Sequence, residues 1–200
     1  MDMELILASN NAGKLREMRQ LLSERGVKVL SQREAGCDFE VEETGSSFEE
    51  NAFLKASAVT RAAGRPAVAD DSGLMVDALG GAPGLYSARF TGSHDDSDKA
   101  RCRYLLQKLE GVSNRRAKFV CCVCCTFPNG DVLRARGECP GEILQEPRGS
   151  GGFGYDPVFR PEGYEQSMAE LGADVKNQIS HRGQAVRKFR EELERYSADK

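Results

Sequence analysis

Leu5-Ile6-Leu7-Ala8-Ser9-Asn10-Asn11-Ala12-Gly13-Lys14 passes from an apolar run into small polar residues. The apolar run is the mark of a buried strand, and the polar residues after it mark a turn. Beyond Lys14, residues Leu15, Met18, Leu21 and Leu22 fall at helical spacing. The reading is therefore strand, polar turn, helix. A helix start leaves backbone N–H groups without intrahelical acceptors and carries partial positive charge, so a phosphate suits it. Ser9, Asn10 and Asn11 supply small hydrogen-bonding side chains, Gly13 lets a ligand approach the backbone, and Lys14 supplies a full positive charge. The Gly-Lys ending is shared with the phosphate loop G-x-x-x-x-G-K-[ST]. Ala8 stands where its first glycine belongs and Leu15 follows the lysine, which excludes that motif. Taken alone, the segment fits either a phosphate site or an ordinary capped helix.

The rest of the chain alternates in the same manner. Val27 to Leu30 reads as a second short strand, and Ser31 as the cap of a brief helical turn. Ser46 or Ser47, with Glu49 or Glu50 three residues later, forms a capping box that opens a helix running to Ala63-Gly64. Pro66 to Ala69 is a strand that Asp70-Asp71-Ser72-Gly73 should end abruptly. A Gly-rich middle follows, then a helix from Asp95-Asp96-Ser97 to Leu109. Arg116 to Phe127 and Val132 to Gly137 flank Pro128-Asn129-Gly130-Asp131 as a hairpin, and Gly141 to Leu144 extends that sheet. A second Gly-rich loop, Gly149 to Asp156, precedes a short strand at Pro157-Val158-Phe159 and a broken helix over Met168 to Ile179. In the last helix Ala185, Val186, Phe189 and Leu193 make one apolar stripe. This order predicts an α/β fold with a long mixed β-sheet and flanking helices.

Two hundred residues, 40% hydrophobic and 30% charged, fit a single domain, 1–200, with enough apolar material for a core. With 28 basic residues against 31 acidic, a net charge of -3 argues against nucleic acid as the main partner. No apolar run approaches the ~18 residues of a membrane span. The start, Met1-Asp2-Met3-Glu4, is acidic and lacks the basic opening of a signal peptide, so the expected location is cytoplasmic, with no membrane partner.

The Cys total, seven, is odd, which does not suit a secreted disulfide framework. Cys121-Cys122-Val123-Cys124-Cys125 holds two overlapping C-x-x-C spacings, but Phe119-Val120 and Thr126-Phe127 flank it without a glycine to make a metal knuckle. A buried strand is the expectation, with Cys122 and Cys124 on one face and Cys121, Val123 and Cys125 on the other.

Asp70-Asp71 falls where ligand sites collect in open α/β sheets. With Glu42 and Glu43 it offers an all-oxygen donor set that suits Mg²⁺; an N-cap and a solvated acidic face is the alternative. Lys14, Lys55, Lys176, Arg182 and Arg148 add positive charge near turns. His181, at a helix start beside Arg182, either stays neutral and reads a base edge or only caps the helix.

Seven ordered motifs then give a specific signal. They are Ser9 to Lys14, Glu42-Glu43-Thr44-Gly45, Phe48 to Ala52, Ala69 to Leu74, Gly80 to Gly84, Gly152 to Pro157, and Ser180-His181-Arg182-Gly183. Together they resemble the inosine triphosphate pyrophosphatase family, over nearly the whole chain. The resemblance implies a homodimeric α/β fold of two lobes around a central nucleotide cleft. It also implies Mg²⁺-dependent hydrolysis of ITP, dITP and XTP to the monophosphate and pyrophosphate, removing deaminated purines from the nucleotide pool. By resemblance, Ser9, Asn10, Asn11, Ala12, Gly13 and Lys14 hold the triphosphate, and Lys14 and Asp71 are catalytic. Asp71 is general base and metal ligand, and Glu42 is the second ligand, with Glu43 as the alternative. Ser72 touches the nucleotide; Phe153, Gly154, Tyr155, Asp156, Lys176, His181 and Arg182 enclose the base. Hypoxanthine and xanthine carry an acceptor oxygen at position 6 where adenine carries a donor amine, so donors such as Lys176 and Arg182 would favour them. Phe153 or Tyr155 is placed to stack on the base. The four-Cys run is no part of the family pattern.

Overall fold

The computed structural model describes residues 3–23, 26–93 and 95–198. The acidic start at Met1 and Asp2, and His94, lie outside the described residues. The chain runs β1 (Met3–Leu7), α1 (Ala12–Ser23), β2 (Val27–Ser31), α2 (Phe48–Ala63), β3 (Ala67–Val76), α3 (Asp98–Lys108), β4 (Arg116–Thr126), β5 (Val132–Ile143), β6 (Phe159–Pro161), α4 (Ala173–Ile179) and α5 (His181–Ala198). Short 3₁₀ turns lie at Asp77–Leu79, Gly84–Arg89 and Asp156–Val158. One six-stranded sheet takes the order β2-β1-β3-β4-β5-β6. β1 pairs in parallel with β2 and β3, and β5 pairs antiparallel with β6, so the sheet is mixed as the sequence predicts.

The chain divides into two compact units. The first holds Met1–Asp71, Cys121–Gly137 and Arg182–Lys200; the second holds Ser72–Val120 and Glu138–His181. In the first, strand alternation sorts side chains to two faces. Leu5, Leu7, Val27, Val29 and Val68 pack with Met18 and Leu22 of α1 and with Ala185, Val186, Phe189 and Leu193 of α5. Ile6, Ala8, Ala67 and Ala69 meet Ala56 and Val59 of α2 on the other face. In the second unit, Leu74 and Val76 pack with Cys102, Leu105 and Leu109 of α3 and with Phe119, Ile143 and Phe159. Among the described residues no helix is long and apolar enough to cross a membrane.

The capping box resolves to Ser47, whose hydroxyl accepts from Glu50 N at 3.1 Å, while Glu50 Oε2 accepts from Ser46 N at 2.7 Å. The helix stops at Gly64, whose φ of 63° is the left-handed region that glycine enters without a Cβ penalty. Three elements depart from expectation. β3 does not end at Asp70 but runs through both aspartates to Val76. β5 is one strand where two segments were expected, and Pro157 falls in a 3₁₀ turn, which moves the final strand to Phe159–Pro161.

The cysteine run is strand β4. Cys121, Val123 and Cys125 join the core shared by α1 and α5, and the described cysteines are buried and outside any disulfide. Burial pushes the Cys124 thiol up to about 11 against the opposing charge of Arg134, and raises Cys122 and Cys125 as well. Such thiols stay protonated at neutral pH and behave as small apolar groups. Replacing Cys124 or Cys125 by Ala is expected to cost about 1 kcal/mol, the scale of one lost buried methyl group. The ITP hydrolysis that the resemblance implies should be unchanged in EDTA-treated, Mg²⁺-restored protein. Stoichiometric zinc, or activity lost on thiol reduction, would overturn the packing role. Cys121 differs, since its Sγ lies 3.9 Å from Asp70 Oδ2.

Candidate active site

The first unit gathers the charged groups around β3. At the turn from β1 to α1, Ser9 Oγ accepts from Asn11 N at 3.2 Å and Asn11 Oδ1 accepts from Lys14 N at 3.0 Å. Asn11 thus caps the helix start, while Asn10, Asn11 and Ala12 remain exposed and Gly13 and Lys14 half-buried. Lys14 reaches inward: its Nζ lies 3.1 Å from Asp70 Oδ2. Arg182 approaches the same oxygen through Nε and Nη2, each at 3.3 Å, and its Nη1 donates to Glu17 Oε2 at 2.5 Å. Asp70 is 1% exposed and Arg182 3%. Burial by itself would raise the Asp70 carboxyl; the charges of Lys14, Arg182 and Lys55 outweigh it and hold it well below the usual carboxylate range.

Asp71, on the opposite strand face, meets a different set. Its Oδ2 accepts from Asn51 Nδ2 at 3.1 Å, and its Oδ1 lies 3.5 Å from Lys55 Nζ. Lys55 in turn lies 2.5 Å from Glu43 Oε1. Burial raises the Asp71 carboxyl; Lys55 opposes that and the like charge of Glu43 adds to it. Asn51 is fixed from its other end, since Gly45 N donates to its Oδ1 at 2.8 Å. A Cβ on Gly45 would stand 2.6 Å from that oxygen, so the acidic turn needs a glycine there. Glu42 is exposed, and of the two neighbouring glutamates it is Glu43 that the turn directs to Asp71 and Lys55.

These two carboxylates are held about one ammonium group, the arrangement a hard cation can take over. A divalent ion would also reverse the like-charge effect that now raises Asp71. The donor chemistry therefore fits a metal that keeps water and phosphate oxygens as its other ligands. The sequence places Lys55 only among the cations near turns and gives Asn51 no role of its own. Their spacing, i and i+4, puts them on one face of α2, and that was the available signal.

The second unit holds the loop around Phe153. Asp156, 4% exposed, accepts from Phe153 N at 3.1 Å and from Lys176 Nζ at 2.8 Å, both at Oδ2. Lys176 Nζ stands 4.8 Å from the centre of the Phe153 ring. Tyr155 is turned into the core, with its hydroxyl donating to Ser87 O at 2.7 Å. Phe153, half-buried, is thus the more available of the two rings for stacking. His181 is buried and lies parallel to Phe119 at 4.7 Å, a packing contact the sequence did not suggest. Ser72 is half-buried in β3 directly after Asp71. Arg148 binds Glu170 at 3.3 Å on the surface. The structure therefore brings Lys14, Asp70 and Arg182 together, then Glu43, Lys55 and Asp71, and separately Phe153, Asp156 and Lys176.

The model of the Ham1 family matches residues 5–192. The chain belongs to the Ham1 family. Similar proteins include a dITP/XTP pyrophosphatase of Desulforamulus reducens, 50% identical over 96% of both chains. The dITP/XTP pyrophosphatase of Bacillus subtilis is 45% identical over 96% of this chain and 97% of its own. Among solved Ham1 structures, that of Staphylococcus aureus superposes with a TM-score of 0.86 at 42% identity, covering 96% of this chain and 98% of its own. That of Coxiella burnetii gives 0.88 at 41% identity, covering 96% and 99%.

Proposed function

We propose that this chain hydrolyses noncanonical purine nucleoside triphosphates (ITP, dITP and XTP) to the monophosphate and pyrophosphate, as a cytoplasmic homodimer that uses Mg²⁺. The observation that carries the reading is Asp71. It is a buried carboxylate fixed by Asn51 and set among Lys55 and Glu43, in a chain 50% identical to one dITP/XTP pyrophosphatase.

The residues suit the reaction. Ser9 to Lys14 offer donors and charge to a triphosphate, with Asp70 holding Lys14 in place. Asn51 donates to one Asp71 oxygen, Oδ2, while the other, Oδ1, faces Lys55 at 3.5 Å and is the oxygen that would take a proton from water. The water oxygen bonds to the α-phosphorus, the bond to the bridging oxygen breaks, and pyrophosphate leaves. Asp71 and Glu43 are the residues that would hold Mg²⁺, which when bound offsets phosphate charge. Phe153 suits stacking on the purine, and Lys176 is a donor without acceptor capacity, matched to a 6-oxo group and not to the adenine amine.

Pyrophosphate release measured across ITP, dITP, XTP, dUTP, GTP and ATP tests this. Turnover concentrated on the first three is expected; preference for dUTP or ATP, or none, refutes it. The metal assignment has its own test. Glu43→Gln should raise the Mg²⁺ concentration for half-maximal rate at least about 10-fold, since even indirect supports of a metal are worth that much. Glu42→Gln should leave it unchanged. The reverse result would return the ligand role to Glu42.

A further inference from the structure

Two motifs are left without a task by the reaction: the start of α3 and the turn Gly80–Gly84. Both lead to the loop Gly152–Asp156. Gly154 N donates to Asp98 Oδ2 at 2.7 Å, and Gly154 O accepts from Cys102 Sγ at 3.4 Å. Both backbone groups of this one residue are therefore held by the first turns of α3. Asp98 is aimed in its turn, because Arg101 Nη2 binds its Oδ1 at 2.5 Å. Arg101 Nη1 donates to Ala88 O at 3.1 Å and Asp96 O at 2.6 Å, which fixes the guanidinium.

The Gly-rich turn acts from another side. Ser87 donates to Gly84 O at 2.6 Å and accepts from Leu74 N at 2.9 Å, and its own carbonyl receives the Tyr155 hydroxyl. Gly154 has a φ of 63° and Gly152 one of 72°, so both occupy the left-handed region. A Cβ at Gly152 would fall 2.0 Å from Asp156 Oδ2, the oxygen that binds Lys176. The loop has one close-fitting arrangement, and Asp98 is the charged acceptor that reaches it from α3.

From this we infer that Asp98 is a positioning residue for purine selection: by holding the Gly154 peptide it fixes Phe153 on one side and Asp156 with Lys176 on the other. The inference rests on the proposed hydrolysis and on the loop enclosing the base. It predicts an effect confined to the base end of the substrate. Asp98→Ala should raise KM for ITP about 10-fold, the loss carried by one charge-assisted hydrogen bond, with much less change in kcat. Inhibition by inorganic tripolyphosphate, which has the phosphates but no base, should keep its constant. Asp98→Asn retains an oxygen acceptor for Gly154 N and should restore most of the loss. The assay is steady-state pyrophosphate release from ITP with tripolyphosphate as competitor, for wild type and both variants.

An unchanged KM in Asp98→Ala overturns the inference. So does a parallel weakening of ITP and tripolyphosphate, which would mark a general structural role, or failure of Asp98→Asn to rescue. A wild-type protein that releases no pyrophosphate from ITP refutes the proposed function instead, and is seen in the same assay before any variant is compared.

Discussion

Asp71→Asn is expected to lower ITP turnover by at least about 100-fold, the contribution of a positioned general base. The substitution keeps the volume of the side chain. Its amide oxygen can still accept from Asn51, which now donates to Asp71 Oδ2 at 3.1 Å. What is lost is a group that accepts a proton and the charge that would hold Mg²⁺ beside Glu43. The fold should tolerate the change. The Asp71 carboxyl is already raised by burial and, against the charge of Lys55, by its like-charged neighbour Glu43, so neutralising it removes an unfavourable charge as well as one ion pair. A shift of no more than ~2–4 °C in Tm, about 1 kcal/mol for a chain of this size, is expected. Pyrophosphate release and thermal unfolding of the same preparation check both halves. Near-normal turnover would withdraw the base role from Asp71 and move suspicion to Glu43. Asp70 is a poor substitute, since its carboxylate is committed to Lys14 and Arg182.

Parts of the fold were legible because short-range rules decide them. The strand-turn-helix at Leu5 to Leu22 follows from an apolar run, a polar turn and helical spacing, all local in sequence. The cysteine strand follows from an unbroken apolar run without a glycine, and alternation puts Cys121, Val123 and Cys125 together in one core cluster. The two aspartates were misread as a strand end for a physical reason. Adjacent carboxylates inside a sheet are costly unless cations meet them, and those cations lie far away in sequence. Lys14 is 56 residues from Asp70, and Arg182 is 112. No local pattern reveals that compensation. The choice between Glu42 and Glu43 was likewise undecided by composition, because it depends on how the Gly45 turn faces α2. Tyr155 and Phe153 are equally aromatic in the sequence. Only the Ser87 carbonyl, 68 residues from Tyr155, turns one of them inward.

Arg182 is where the structure changes an expectation most. The sequence reading gives it to the base as a donor. Its Nε, Nη1 and Nη2 are engaged by Asp70 and Glu17, at 3.3, 2.5 and 3.3 Å. Arg182→Ala would leave Asp70, a fully enclosed carboxylate, to the charges of Lys14 and Lys55, and would take this cation from Glu17. Breaking a buried ion pair by removing one partner costs about 3–5 kcal/mol, because the charge left behind cannot recover its hydration. For a chain of this size that corresponds to a fall in Tm of about 6–20 °C. Lys14 would then be the main cation at Asp70, held there more firmly and less available to phosphate. ITP and ATP should therefore lose kcat/KM by the same factor, since each presents the same triphosphate. Arg182→Lys keeps the charge but cannot span Asp70 and Glu17 with a rigid fork, and should fall between wild type and Ala in Tm. Thermal unfolding, with steady-state hydrolysis of both nucleotides at one Mg²⁺ concentration, decides the role. If Tm barely moves while the ITP-to-ATP ratio narrows by ~10–100-fold, the value of a charge-assisted contact to the substrate, Arg182 belongs to the base after all.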